Sequence, residues 1–306
     1  MNRVSTAGNY AVSLANLATT QQRQVELGRQ VSSQKIAQDL KGYAHKAETL
    51  TSMRSVQTRI AGLIEQNTVL AARHQTQDVA LNQVADSAIG VREAIAGALA
   101  SSRVDTLMEE ISGHFSDALQ GLNTKSQGRY LFSGGQINTQ PVDVSSLAQL
   151  QSPVDVMTLF KNDRFVARNQ IDETATIDGG MLADDIAGDL FKAFQEIQDF
   201  AVANPFGGDM TEDQRNFLKD KLAAFDSVHS NLVNTVARNG SIQNRIDNST
   251  KDLKNRADTL EEMVGGVANV DMAEAISRLQ LAQFSVQAAA EVFGTLRDSS
   301  LLNFLR

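Results

Sequence analysis

Four histidines, His45, His74, His114 and His229, are the side chains best suited to metal or proton chemistry. None stands in a His-x-x-x-His or Glu-x-x-His pair, the spacings that place two ligands on one helix face, so they read as structural or interface groups. Asp184-Asp185 offers two adjacent carboxylates for a shared cation or proton. Neighbours on a helix point apart, and negative charge in the first turn of a helix starting near Leu182 is the simpler account. Gly134-Gly135 and Gly179-Gly180 lack the Gly-Lys-Ser/Thr or GxGxxG continuation of a phosphate loop. Cysteine is absent, which removes disulfides, thiolate metal sites and a cysteine nucleophile. No nucleophile constellation remains, so catalytic residues, cofactors, metals and a small-molecule substrate are not expected.

The elements that would have to position any chemistry are long helices. Met53, Val56, Ile60, Leu63, Leu70, Leu81, Val84, Ala88, Val91, Ile95 and Ala98 follow alternating steps of three and four, with Asn67, His74 and Gln77 as polar members of the same seam. A second stripe runs Phe225, Val228, Leu232, Val236, Asn239, Ile242, Ile246, Ser249, Leu253, Arg256, Leu260, Met263, Val267 and Val270. Repeats this long ask for a partner helix, and each can supply the other. A helix over 53–100 would be roughly 70 Å long. The polar seam positions weaken a dry coiled coil and fix register or mark local wetness.

Between these stripes, 103–127 continues helically through Leu107, Ile111, Phe115, Ala118 and Leu122, with Asp105 as a cap or first-turn charge. The pattern changes at Gly128-Arg129-Tyr130-Leu131-Phe132-Ser133-Gly134-Gly135, whose alternating aromatics bracketed by glycines predict a short strand leaving a helix. Val154–Phe160, Arg164–Ile171 and Thr174–Ile177 look like further short strands. Helix resumes over Leu182–Ala203; Asn204-Pro205-Phe206-Gly207-Gly208 is a loop; Thr211 with Gln214 reads as a capping box opening the second long helix. Gly265-Gly266 is expected to break that helix before a last one from Met272.

Composition agrees with narrow bundles rather than a large globular core: aromatics are 5%, Trp is absent, and the three prolines fall at 141, 153 and 205, outside both helical arms. The net charge of −8 is concentrated in 132–189, where nine acids face three bases, the pattern of a solvated, exposed segment. No basic stripe suggests nucleic acid, no apolar stretch is long enough to span a membrane, and no signal peptide is visible near Met1. Residues 1–40 carry only a thin apolar line, Tyr10, Leu14, Leu17, Val25 and Val31, and should order only against a partner. At the other end Leu301, Leu302, Phe304 and Leu305 crowd large apolar side chains together, which benefits an interface and not a solvated tail.

Arg3-Val4-Ser5-Thr6, Tyr10, Ser13-Leu14, the stretch Gln30-Val31-Ser32-Ser33-Gln34-Lys35-Ile36, the Arg129-Tyr130-Leu131-Phe132-Ser133-Gly134 element and the ending Ser300-Leu301-Leu302-Asn303-Phe304-Leu305 together resemble the flagellin family. Within it they are most similar to the branch that joins hook to filament. Gln34 stands where that family has glycine. The resemblance implies a mainly α rod of long antiparallel helices, a coiled-coil-like bundle with paired terminal arms and a small β-rich insertion in the middle. It implies export through the flagellar type III channel without a cleaved signal, an extracellular place in the bacterial flagellum, and assembly with copies of itself in a ring, with hook-associated protein 1, with flagellin and with an export chaperone.

The expected division is a helical arm over 1–45 paired with 267–306, rod segments over 46–131 and 182–266, and an outer insertion over 132–181. The expected assembly interface comprises Tyr10, Leu14, Leu17, Ile276, Leu279, Phe293, Leu301, Leu302, Phe304 and Leu305. Arg129, Tyr130, Phe132 and Gly134 are the candidate domain junction. A filament flagellin and an unrelated coiled-coil adaptor are the alternatives.

Overall fold

Apolar residues repeating every three and four steps without a proline become long helices. The structure, a computed structural model, describes the backbone of residues 2–302 and the side chains of 8–296. Its helices are α1 (Asn2–Ser33), α2 (Ala47–Ser101), α3 (Leu107–Leu122), α4 (Ala183–Ala203), α5 (Glu212–Ala268) and α6 (Met272–Leu302). Two antiparallel ladders complete it: β1 (Lys125–Ser126) with β2 (Arg129–Tyr130), and β3 (Arg168–Gln170) with β4 (Thr176–Asp178). The fold is therefore mainly α with a small β-bearing insertion, as the sequence predicts. The chain divides into two compact units, Met1–Ile60 with Asn255–Arg306, and Ala61–Lys254.

In the unit of residues 61–254, α2, α3, α4 and α5 run alternately up and down. Gln83 bonds Gln120 at 2.9 Å between α2 and α3, Phe200 stacks on Phe217 at 3.9 Å between α4 and α5, and α5 returns along α2 with Asp226 against Arg92 and Asn239 against His74. Every predicted seam position of α2 from Leu63 to Ala98 is buried, the polar ones included. The core is centred on fully buried Phe115, Phe191, Phe194 and Phe225, whose rings meet at tilted or edge angles that suit aromatic quadrupoles. Thr211 and Gln214 cap α5 reciprocally: the Thr211 N–H donates to Gln214 Oε1 at 2.9 Å and the Gln214 N–H to Thr211 Oγ1 at 3.3 Å.

The insertion departs from expectation in one place. Val154–Phe160 is not a strand; Asp155 accepts the Met157 N–H at 3.0 Å and starts a 3-10 turn over Val156–Leu159. Local capping by an aspartate outweighs the strand preference of its valines. Arg168–Gln170 and Thr176–Asp178 do pair, as a hairpin whose carbonyls are gripped by polar side chains of the helices. Asn67 Nδ2 (2.9 Å) and Ser249 Oγ (2.7 Å) both donate to the Ile171 carbonyl, and Gln66 Nε2 donates to that of Gln170. The seam residues Asn67 and Ser249 thus serve the hairpin.

In the other unit α1 and α6 lie against each other, antiparallel, with a short bridge between Lys35 and Asn269. The Ile36 N–H donates to the Ala268 carbonyl at 2.9 Å and the Val270 N–H to that of Gln34 at 3.0 Å. Tyr43, Leu50 and Ala268 form a small core with Ile36, Ala37, Val264 and Val267 packed on it. Gly265-Gly266 does not break α5. The two helical glycines cost about 2 kcal/mol together, opposed by the burial of Ala268 and the partial burial of Val267 against that core. Arg256 and Met263 are exposed, and Ala257 and Val264 take the inward places.

Candidate assembly surface and the corner at 128–135

On α1 the residues turned toward α6 are Tyr10, Ser13, Leu17, Thr20, Gln24, Leu27 and Val31, a three-four spacing along one face. The facing residues of α6 include Ala275, Leu279, Ala282, Val286, Ala289, Phe293 and Leu296. Tyr10 and Phe293 meet at 4.8 Å between ring centroids. Of the predicted interface residues, Tyr10, Leu17, Leu279 and Phe293 are therefore half-covered or edge members of the α1–α6 contact, whereas Leu14 and Ile276 are exposed outside it. Leu301 and Leu302 end α6 as helical backbone, their side chains outside the described residues; Phe304 and Leu305 lie outside the described residues altogether.

A second stripe on α6 escaped the sequence reading. Phe284 (67% exposed) and Val292 (54%), with exposed Ala288 between them, carry this stripe, and Leu281 (66%) flanks it at the rim of a groove shared with Thr20, Arg23 and Leu27 of α1. With Val12, Leu14 and Val25 exposed on α1, the pair carries large apolar side chains on its outside as well as inside. Large apolar side chains gathered on an exposed helix face make a candidate contact surface. The signal was present as Leu281, Phe284 and Val292 at helical spacing, but the stripe through Leu279, Val286 and Phe293 drew the assignment.

The glycine-bracketed aromatic element forms a corner. Gln127 (φ 51°) and Gly128 (φ 79°) make a two-residue turn of left-handed conformers between β1 and β2, matching hairpin twist. Arg129 is exposed, and Tyr130 lies beneath Lys125 Nζ, 4.4 Å from its ring centre. Phe132 is fully buried, and its carbonyl accepts the Ala183 N–H that opens α4 at 3.0 Å. Gly134 takes φ 69°, and a Cβ there would stand 2.2 Å from Asp163 Oδ1. Asp163 accepts the Gly135 and Phe165 N–H groups at 2.8 and 2.9 Å, and these bonds hold its carboxyl below the usual carboxylate range. Nearby, Arg164 spans Asp184 (2.8 Å) and Asp185 (2.7 Å) in the first turn of α4, so the paired acids are held by an arginine as well as by the helix start. This corner positions backbone.

Residues 222–305 match the family of the bacterial flagellin C-terminal helical region. No protein of curated description matches the chain by sequence. Among solved structures, a flagellar hook-associated protein from Vibrio parahaemolyticus is similar with a TM-score of 0.57 at 14% identity, over 73% of this chain and 97% of that one. FlgL of Bacillus cereus is similar with a TM-score of 0.57 at 14% identity, over 70% of this chain and 99% of that one. At such identity the likeness is one of fold. The family match and the shared fold bear out the resemblance to the flagellin family read from the residues.

Proposed function

We propose that this protein is a non-enzymatic structural subunit of the bacterial flagellum, placed outside the cell between hook and filament in the manner of hook-associated protein 3. One observation carries this reading. The α1–α6 pair, lying partly within the flagellin C-terminal match, buries one apolar face internally and presents a second, Phe284 and Val292 with Leu281 at its rim, exposed among the described residues. Burying apolar area at roughly 25 cal/mol per Å² makes such a stripe a driving force for subunit contact. Copies of the chain would use it to form a ring, and a hook-associated protein 1 and flagellin would bound that ring on either side. Export through the flagellar channel, with a chaperone covering the apolar stripe beforehand, completes the proposal.

Deletion of the gene tests it. The deletion strain should retain hooks, lack filaments and release flagellin into the medium, and the intact gene supplied in trans should restore filaments. A deletion strain with normal filaments would reject the junction role.

A further inference from the structure

We infer that His74 is a proton-sensitive latch for the β3–β4 hairpin: the neutral ring lets the hairpin dock against α2 and α5, and the cation releases it. His74 is fully buried, and its Nδ1 lies 2.8 Å from Asn239 Oδ1. Asn239 Nδ2 donates to the His74 carbonyl at 3.1 Å and to Asp78 Oδ1 at 3.2 Å, so Oδ1 is its accepting end and the ring hydrogen sits on Nδ1. Nε2 then presents the lone pair of a neutral imidazole. It faces the backbone of Gly179, directly after β4, where an added Cβ would stand 2.9 Å away, and it makes no hydrogen bond, so a proton placed there would find no acceptor. A second proton on the ring therefore places a buried charge and an unmet donor at the hairpin's foot.

The surroundings disfavour that charge. Burial lowers the ring's pKa; the Asn239 bond opposes this, and neighbouring Arg73 adds to it. The charged groups around the site are Arg73 and Asp78 from α2, Arg245 from α5, which donates to the Thr176 carbonyl, and the Arg168–Asp178 pair of the hairpin, with Arg129 of β2 acting on Arg73. Arginine and aspartate side chains ordinarily keep one charge state between about pH 5 and 7, whereas histidine does not. The open hairpin binds the proton more tightly than the docked one. Docking is thus at full strength above the ordinary histidine value of 6.5 and weakens as pH falls from there through the docked-state value, by up to about one decade per pH unit.

The test is hydrogen exchange of the full-length chain at neutral and mildly acidic pH, reading the Ile171 and Gly179 amides, which bond Ala175 and Ala167, against α3 amides as reference. Relative hairpin protection should fall between pH 7 and pH 5 in the native chain, by no more than about one decade per pH unit. It should stay flat in His74→Gln. Asn239→Asp, which sets a carboxylate beside Nδ1, should keep the hairpin docked at the lower pH. Equal loss in the native chain and His74→Gln overturns the latch. Should either variant fail to fold, the His74 ring resonances of the native chain decide. Titration together with loss of protection supports the latch; titration with protection retained, or no titration short of global unfolding, overturns it.

Discussion

Tyr10 of α1 lies against Phe293 of α6, ring centroids 4.8 Å apart and planes inclined at 42°. Segments far apart in the chain are thereby registered on one another, and the outward faces of both helices keep their own apolar residues. Substituting that outward face separates assembly from folding. Leu281→Asp and Phe284→Asp should each change the melting temperature by no more than a degree or two, since both side chains are about two-thirds exposed. Each should abolish filament attachment in a complemented deletion strain. Normal swimming with both substitutions would remove this face from the interface.

The buried seam of the four-helix unit makes the opposite prediction. Leu81 and Ile246 are fully buried. Leu81→Asp or Ile246→Asp places an unpaired charge among apolar neighbours and should lower the melting temperature by several degrees or prevent folding. Circular dichroism melts decide it, and unchanged curves for both would contradict the seam.

Gln34 follows α1 with φ 59°, a left-handed conformation that costs a residue with a Cβ about 1–2 kcal/mol. Its carbonyl accepts the Val270 N–H. Gln34→Gly should relieve the strain, less about 0.5–1 kcal/mol of added unfolded-chain freedom. The Val270 and Ile36 amides should therefore exchange a few-fold more slowly. Faster exchange would mean that the side chain contributes more than its conformation costs.

The helices were legible because their information is local: Leu63 through Ala98 repeat on one face whatever the partner. The capping box at Thr211 and Gln214 was legible for the same reason. The role of Asn67 and His74 was not. Their partners, Ile171 and Asn239, lie far along the chain, so polar seam positions could be read as register or wetness but not as a dock for a hairpin. Val154–Phe160 misled because strand propensity and a capping aspartate compete over a few residues. At the candidate surface, one stripe of α6 stood for both, and Leu281, Phe284 and Val292 were lost behind it.

Acid should act on the corner through Asp163. Its backbone bonds stabilise the carboxylate and depress its folded-state pKa. Their contribution is complete above the ordinary aspartate value of 3.8 and is lost as pH falls below that through the folded-state value. Asp163→Asn should weaken the corner at neutral pH and flatten the acid dependence of its Gly135 and Phe165 amide exchange. A variant with the native acid profile would show that another group governs it. Gly134→Ala should destabilise the corner by about 1–3 kcal/mol through backbone strain, measured by urea unfolding.

The central claim is placement between hook and filament, and immunogold electron microscopy of isolated hook–filament structures tests it most directly. With an antibody to the 132–181 segment, gold should collect in one short zone where hook meets filament, in intact structures and in those sheared just beyond the hook. Gold spread along the filament would identify a filament flagellin instead, and structures without gold would contradict a flagellar role.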